Sequence, residues 1–263
     1  MNDLRFALYA IKKNIQSSAE LRTSFWLTVF GMAINNTSFI ILWGFFVTSV
    51  GAIGGWTVLD IIGLQGFVAT CFGIVFSAGG GIRKLADYTA SGAFDRFLLS
   101  PKNLLVRVAT SSFNVSAVGD IAFGIICLGT YAFLIHASFY QVLLIAYLIV
   151  ASSIVFLSAA ITIYSMSFFF MDANSVTSSL FELFLTPALF HGGAFQGVMR
   201  FVFTFIVPSL LIGALPVETV RDLSTQKLLL ISILAIFWFF ISILIFQRAI
   251  RKYESSNFMT FGN

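Results

Sequence analysis

The sequence predicts an all-α integral membrane protein with six transmembrane helices, and three observations predict it. Hydrophobic residues make up 59% of the 263 residues and charged residues only 10%, whereas soluble domains run near a quarter charged. A soluble fold with this balance would leave large apolar areas facing water, so lipid is the solvent. Phe is abundant at 32 residues and Pro scarce at 4, and no run of about ten residues alternates as a barrel strand must. The spanning elements are therefore helices. Finally, the basic residues gather in clusters between the apolar stretches, as they do in polytopic proteins.

The elements follow in order along a single domain, residues 1–263. Residues 1–23 hold an amphipathic helix of the membrane interface. Its segment LRFALYAIKKNIQSSAELR puts Leu4, Leu8, Ile11 and Ile15 on one stripe with Lys12, Lys13 and Gln16 elsewhere. The same stretch has no apolar core of a cleavable signal. A first span runs from about Ser24 to Thr48, and a loop with Gly51, Gly54, Gly55 and Trp56 leads to a second span, Ile61 to Gly79. Residues 82–107 form the most polar internal stretch and read as a loop outside the bilayer. A third span covers about 112–135. A fourth ends near Met171, and Asp172-Ala173-Asn174 reads as a tight turn.

The stretch 175–216 holds Pro187, Pro208 and Pro216 with Gly192, Gly193, Gly197 and Gly213. Residues 175–197 are long enough for a fifth span. The apolar piece 201–215 would reach only about 22 Å against a hydrocarbon core of about 30 Å. Residues 198–216 therefore read as a re-entrant hairpin. A last span, about Leu228–Phe246, precedes Arg248, Arg251 and Lys252.

Six spans with both termini inside place Arg5, Lys12, Lys13, Arg22, Arg83, Lys84, Arg96, Lys102, Arg107, Arg248, Arg251 and Lys252 in the cytoplasm. Only Arg200, Arg221 and Lys227 remain outside, so twelve of the fifteen basic residues lie inside. A seventh span would export the basic tail. The net charge of +4 thus follows from topology and calls for no nucleic acid.

The absent motifs narrow the chemistry. No phosphate-cradling G-x-x-x-x-G-K-[ST] occurs, since Gly79-Gly80-Gly81 leads into Ile82-Arg83-Lys84. The chain is therefore expected to be no enzyme and to hold no cofactor or metal. His136 and His191 stand alone, and Cys71 and Cys127 lie in apolar stretches without metal-ligand spacing.

The informative segment is Ser91 to Asn103. Gly92 can end a helical extension of the second span. Phe94, Phe97 and Leu98 then share a face at i, i+3, i+4 of a short helix over about 93–99, with Asp95 and Arg96 pointing elsewhere. Ser100 and Pro101 read as N-cap and first-turn proline of the next helix. The bland alternative is a loop helix resting on the membrane.

The pattern Gly92, Asp95, Leu98, Pro101 resembles the cytoplasmic loop of ABC type-2 export permeases, in the branch of about 260 residues that lacks a fused ATPase. The stretch Arg200 to Pro216 also resembles that branch's segment before the last helix, although Pro187 departs from its pattern. The resemblance implies a permease subunit of the plasma membrane that pairs with a second permease and docks a cytoplasmic ABC ATPase, which would hold the ATP and Mg. It makes 82–107 the coupling loop and 93–99 the coupling helix, with Gly92, Phe94, Asp95, Arg96, Phe97, Leu98 and Pro101 at the ATPase interface.

Polar residues within the spans are the candidates for a path or a subunit seam: Asn35 and Asn36 in the first span, Asp120 in the third, Glu182 in the fifth. Intramembrane acids are costly and usually face a bundle interior or a cavity. Interhelical hydrogen bonding is the plainer reading for the asparagines. A self-sufficient secondary transporter or channel is the alternative function, weakened by the lack of a visible inverted repeat and of paired intramembrane charges.

Overall fold

The computed structural model describes residues 3–20, 22–50, 54–170 and 172–253; Gly51 and Met171, used above as landmarks, lie outside them. The described residues form helices and turns with no strand. Five helical segments are long and apolar enough to cross a membrane: Arg22–Phe46, Val58–Ala90, Ser116–Leu134, Phe139–Phe168 and Thr225–Ile250.

The helix α1 (Asp3–Glu20) leaves Leu8 and Ile15 of its apolar stripe uncovered by protein. A hydrogen bond from Asn14 Nδ2 to the Thr110 carbonyl, 2.9 Å, ties its middle to the rest of the chain. The next helix, α2 (Arg22–Val50), is almost bare: Leu27, Phe30, Ile34, Ile41 and Phe45 are exposed, and Val29 is its one buried apolar residue among those described.

The helix α3 (Val58–Gly79) starts at a capping box. Thr57 and Asp60 exchange hydrogen bonds between side chain and backbone, which satisfies two donors that a helix start leaves open. It packs most intimately on α7 (Ser116–Leu134), and glycine is the reason. A Cβ on Gly73 would lie 2.7 Å from the Ile121 backbone nitrogen, and one on Gly124 would lie 2.6 Å from that of Thr70. Carbon needs about 3.5 Å, so the two helices touch backbone to backbone, as small residues permit in lipid.

Between α3 and α7 come three short helices: α4 (Leu85–Ala90), α5 (Asp95–Leu98) and α6 (Leu104–Ala109). The expected helix over 93–99 is a single turn. Ser100 and Pro101 do not open the next helix; Asn103 caps α6 by accepting from the Val106 N–H at 3.2 Å.

The helix α8 (Phe139–Ser165), opened by a second capping box from Ser138 and Gln141, packs on α12 (Thr225–Ile250). Asp172 caps α9 (Ala173–Ala188), so Ala173 and Asn174 begin a helix and the tight turn expected there does not form. An aromatic core of Phe72, Phe76, Phe156, Phe181 and Phe184 joins α3, α8 and α9 through mostly edge-on ring contacts.

The expected span 175–197 is shorter than its sequence suggests. Helix α9 has 16 residues, about 24 Å at 1.5 Å per residue. Its last turn tightens to i−3 bonds, Leu189 N–H to Thr186 and Phe190 N–H to Pro187, and the backbone then leaves the helix at His191. Its ends lie at opposite ends of the bundle. Asn174 donates to Asp87 of α4 at 2.9 Å, while Phe190 packs against Trp43 of α2 with ring centroids 5.1 Å apart.

Residues 198–216 form no continuous helix. Helix α10 (Gly197–Phe201) widens into a π-helical turn at Val202–Ile206, the chain reverses around Pro208, and α11 (Ala214–Asp222) leads back. Pro208 has no N–H to continue a helix. Residues 208–220 are buried throughout, and Ser152 of α8 donates to the Leu211 carbonyl at 2.8 Å.

Candidate functional site

Two polar regions stand at opposite ends of the bundle. At the first, Gly92 adopts φ +70°, the left-handed region open to glycine, and stops α4. The Phe94 N–H then bonds back to the Tyr88 carbonyl at 3.0 Å. This turn drives Phe94 inward, fully buried between Phe168 and Tyr253, with centroids 5.0 and 4.8 Å away. Phe97, 6% exposed, packs on Tyr88 at 5.2 Å. Arg107 donates to the Phe97 carbonyl, and the Arg96 guanidinium lies 4.9 Å over both the Tyr88 and Phe97 rings.

The face expected to carry Phe94, Phe97 and Leu98 together is therefore divided. Both phenylalanines are covered by the chain's own residues, whereas Leu98 is 48% and Leu99 87% exposed, beside exposed Arg96 and Pro101. The reason is the helix's brevity. Phe94 precedes its first residue, so the turn at Gly92 sets its direction. Burial, and the Asp95 carboxylate beside it, push the Tyr253 phenol up to about 12, so Tyr253 is a neutral plug over this loop at physiological pH.

Within the helices, Asn36 Nδ2 of α2 donates to Asp120 Oδ1 of α7 at 2.7 Å. Two of the four intramembrane candidates are thus one interhelical pair, and the buried Asp120 is reached from α2. The other two stay apart: Asn35 on α2 and Glu182 on α9 are both exposed.

The region at the opposite end escaped the sequence. Glu218 of α11, buried, is held by Arg200 of α10 at 2.6 Å and by Lys227 of α12 at 3.1 Å. Lys227 also reaches Asp222 at 2.6 Å, and Arg221 bridges Asp222 at 3.1 Å and the buried Asp60 of α3 at 3.4 Å. Gly192 leaves no room for a side chain, since a Cβ would meet Glu218 Oε1 at 2.5 Å. Six ionic residues thus tie α10, α11 and α12 to the start of α3. The Thr57–Asp60 capping box was the one local signal for this end; the pairings span up to 161 positions and have no sequence signature.

Asp222 carries a testable pH dependence. Partial burial pushes its carboxyl up, but hydrogen bonds and charge from Lys227 and Arg221 outweigh that and hold it below the ordinary value. A depressed carboxyl stabilises the fold fully above its unfolded value, about 3.9, and loses that contribution as pH falls through the folded one. Asp222→Asn is therefore expected to melt below wild type at neutral pH in detergent, and the two curves should converge once the pH has fallen through the depressed folded value. Identical melting at neutral pH would remove the ionic role.

A search of curated proteins finds no match to the chain. The family described as ABC-2 family transporter protein matches residues 33–257, from within α2 to just beyond α12. That match covers most of the chain, with the later part of α2 and the whole of α3, α7, α8 and α12; the chain belongs to the ABC-2 transporter family and is a multi-pass membrane permease of the ABC transporter class.

Proposed function

We propose that the chain is the membrane subunit of an exporter in the plasma membrane, working beside a second permease and driven by ATP that a separate cytoplasmic subunit hydrolyses. The observation that carries this reading is the loop at α4–α6. Buried Phe94 and Phe97 weld it to the bundle, and Leu98 and Leu99 stand out from it as an apolar tip. Such a tip on a rigid stem suits a groove in a docked ATPase, and a partner that moves it would move α3, α8 and α12 with it. ATP and Mg would reside wholly on that partner.

Six crossings with both termini cytoplasmic fit this role. Helix α9 supplies the sixth, because its ends meet opposite ends of the bundle although it is short. A local thinning of the bilayer, or the uncovered flank of a second permease, accommodates such a length. The segment of α10 and α11 then enters and leaves on the outer side, with its six-residue ionic cluster at the outer rim. Helix α1 lies in the inner interface with Leu8 and Ile15 in lipid. The bare faces of α2 and α9, with Asn35 and Glu182, form the seam toward the second permease and the path.

Labelling tests the topology. Ser255→Cys, placed beyond the described residues in an otherwise Cys-free chain, is expected to resist an impermeant thiol reagent in intact cells and to react after permeabilisation. Reaction in intact cells would overturn the six-span arrangement. Copurification with an ATPase, argued below, separates this reading from a self-sufficient transporter.

A further inference from the structure

An apolar groove of about 460 Å³ opens between α6, α8 and α12, within the range of about 300–1,000 Å³ that small-molecule sites occupy. Its walls include Leu105 of α6, Leu157 of α8, and Phe239, Ile243 and Ile250 of α12. Leu105, Leu157 and Ile243 are only half-buried, so the bundle leaves this surface partly open. No residue of α2 or α9 lines it, which separates it from the seam and path proposed above.

Depth and composition select the occupant. From Phe239 to Ile250 the groove follows α12 for about 17 Å at 1.5 Å per residue. One leaflet of the hydrocarbon core is about 15 Å, half of about 30 Å. The groove ends with α12, beside the start of α6 and the loop. Its lining holds one alanine and no glycine, serine or threonine. It therefore lacks the small residues through which a second helix packs closely in lipid. A fatty chain needs no such surface.

Polarity gathers at the mouth. Asn103 and Gln247 are the polar lining residues, and both are exposed. Arg251 follows Gln247 by one turn on the same stripe, exposed and, among the described residues, in no ion pair. Lys102 directly precedes Asn103. No acid lines the groove. Two cations at the open end of an apolar slot complement a phosphate carried above a fatty chain, and an arginine fork suits that phosphate.

We infer that the groove of α6, α8 and α12 seats one acyl chain of an anionic phospholipid of the inner leaflet, with its phosphate at Arg251 and Lys102. Gln247 and Asn103 stand where they can donate to its ester oxygens. The inference rests on the reading of this end as cytoplasmic; it adds a resident lipid distinct from any cargo. Such a lipid bridges α12 to α6, and α6 directly follows the loop, so the lipid would stiffen the loop from one side.

Native mass spectrometry of the full-length chain tests this without any ATPase. The protein in nonionic detergent is mixed with equal amounts of dioleoyl phosphatidylglycerol and dioleoyl phosphatidylcholine. Wild type is expected to retain one phosphatidylglycerol with a preference of about tenfold or more, since each basic residue near an anionic head contributes about fivefold. Lys102→Gln combined with Arg251→Gln should bring the two lipids to equal retention. Ile243→Trp, which fills the groove, should displace both.

Equal retention of the two lipids by wild type would overturn the proposal whether or not any variant folds. So would a preference that survives in the doubly substituted protein, the outcome for a head drawn to the basic surface in general. Unchanged retention by Ile243→Trp would place the lipid elsewhere and overturn it too. A dimer that forms only when phosphatidylglycerol is absent would give the groove to a second copy. Failure of any ATPase to copurify, with the lipid preference intact, would remove the exporter reading and leave the lipid site standing.

Discussion

Leu99→Asp is expected to abolish copurification of an ATPase with the tagged permease, and transport with it, while the permease itself inserts and melts as wild type. Leu99 is 87% exposed, so in the free chain the charge stays in water and costs little. In a docked complex the same carboxylate would be desolvated without a partner, and the apolar contact of an anchor would be lost as well. Each of these costs about 2 kcal/mol or more, together at least a hundredfold in affinity. Phe97→Ala should behave differently. Its ring is buried within the chain, so truncation leaves a cavity and costs about 3–5 kcal/mol of stability, and any loss of ATPase follows from a loosened loop. Pull-down and melting curves read together separate the cases. Equal ATPase recovery with wild-type and Leu99→Asp permease would remove the docking role of this tip.

Gly124→Val is expected to break the main helix pair of the bundle. The first carbon of any side chain there would lie 2.6 Å from the Thr70 backbone nitrogen and 2.9 Å from the Gly66 carbonyl oxygen. Neither atom can rotate away, because both belong to the backbone of α3. The helices must part along their whole crossing, which forfeits the Gly73 contact and the burial of Leu128 and Tyr131. Overpacking usually costs about 1–3 kcal/mol; a backbone clash at a main helix pair should exceed that and show as loss of the monodisperse peak in detergent. The same change at Gly129, where nothing lies within 4 Å of the added carbon, is the control and should be silent. Comparable yields from the two variants would mean that α3 and α7 do not cross as described.

Much of this architecture was legible because lipid imposes simple rules. Composition alone excluded a soluble fold. The predicted first, second, third and last spans fall within a few residues of α2, α3, α7 and α12, since a long apolar run must become a helix where the backbone has no water to bond. The family was legible for another reason: Gly92, Asp95, Leu98 and Pro101 stand at fixed spacing in a loop whose turn needs a glycine. The expected fifth span was less legible. Its composition stays apolar through residue 197, and only the i−3 hydrogen bonds around Pro187 show where the helix stops.

What the sequence by itself determined is the solvent, the succession of helices and the place of the loop, all properties of short windows of chain. Tertiary structure alone decided which way a side chain on that loop faces and which charges meet. Phe94 and Leu98 share a face in any helical plot, yet one is buried and the other half exposed, because a one-turn helix takes its orientation from Tyr253 and Phe168 far along the chain. Glu182 stood out in the sequence and stays exposed, whereas Asp60 and Glu218 did not and lie at the centre of the six-residue ionic cluster. A charge acquires its role from partners brought near it in space, and those partners here come from α10, α11 and α12, which only the packed bundle assembles.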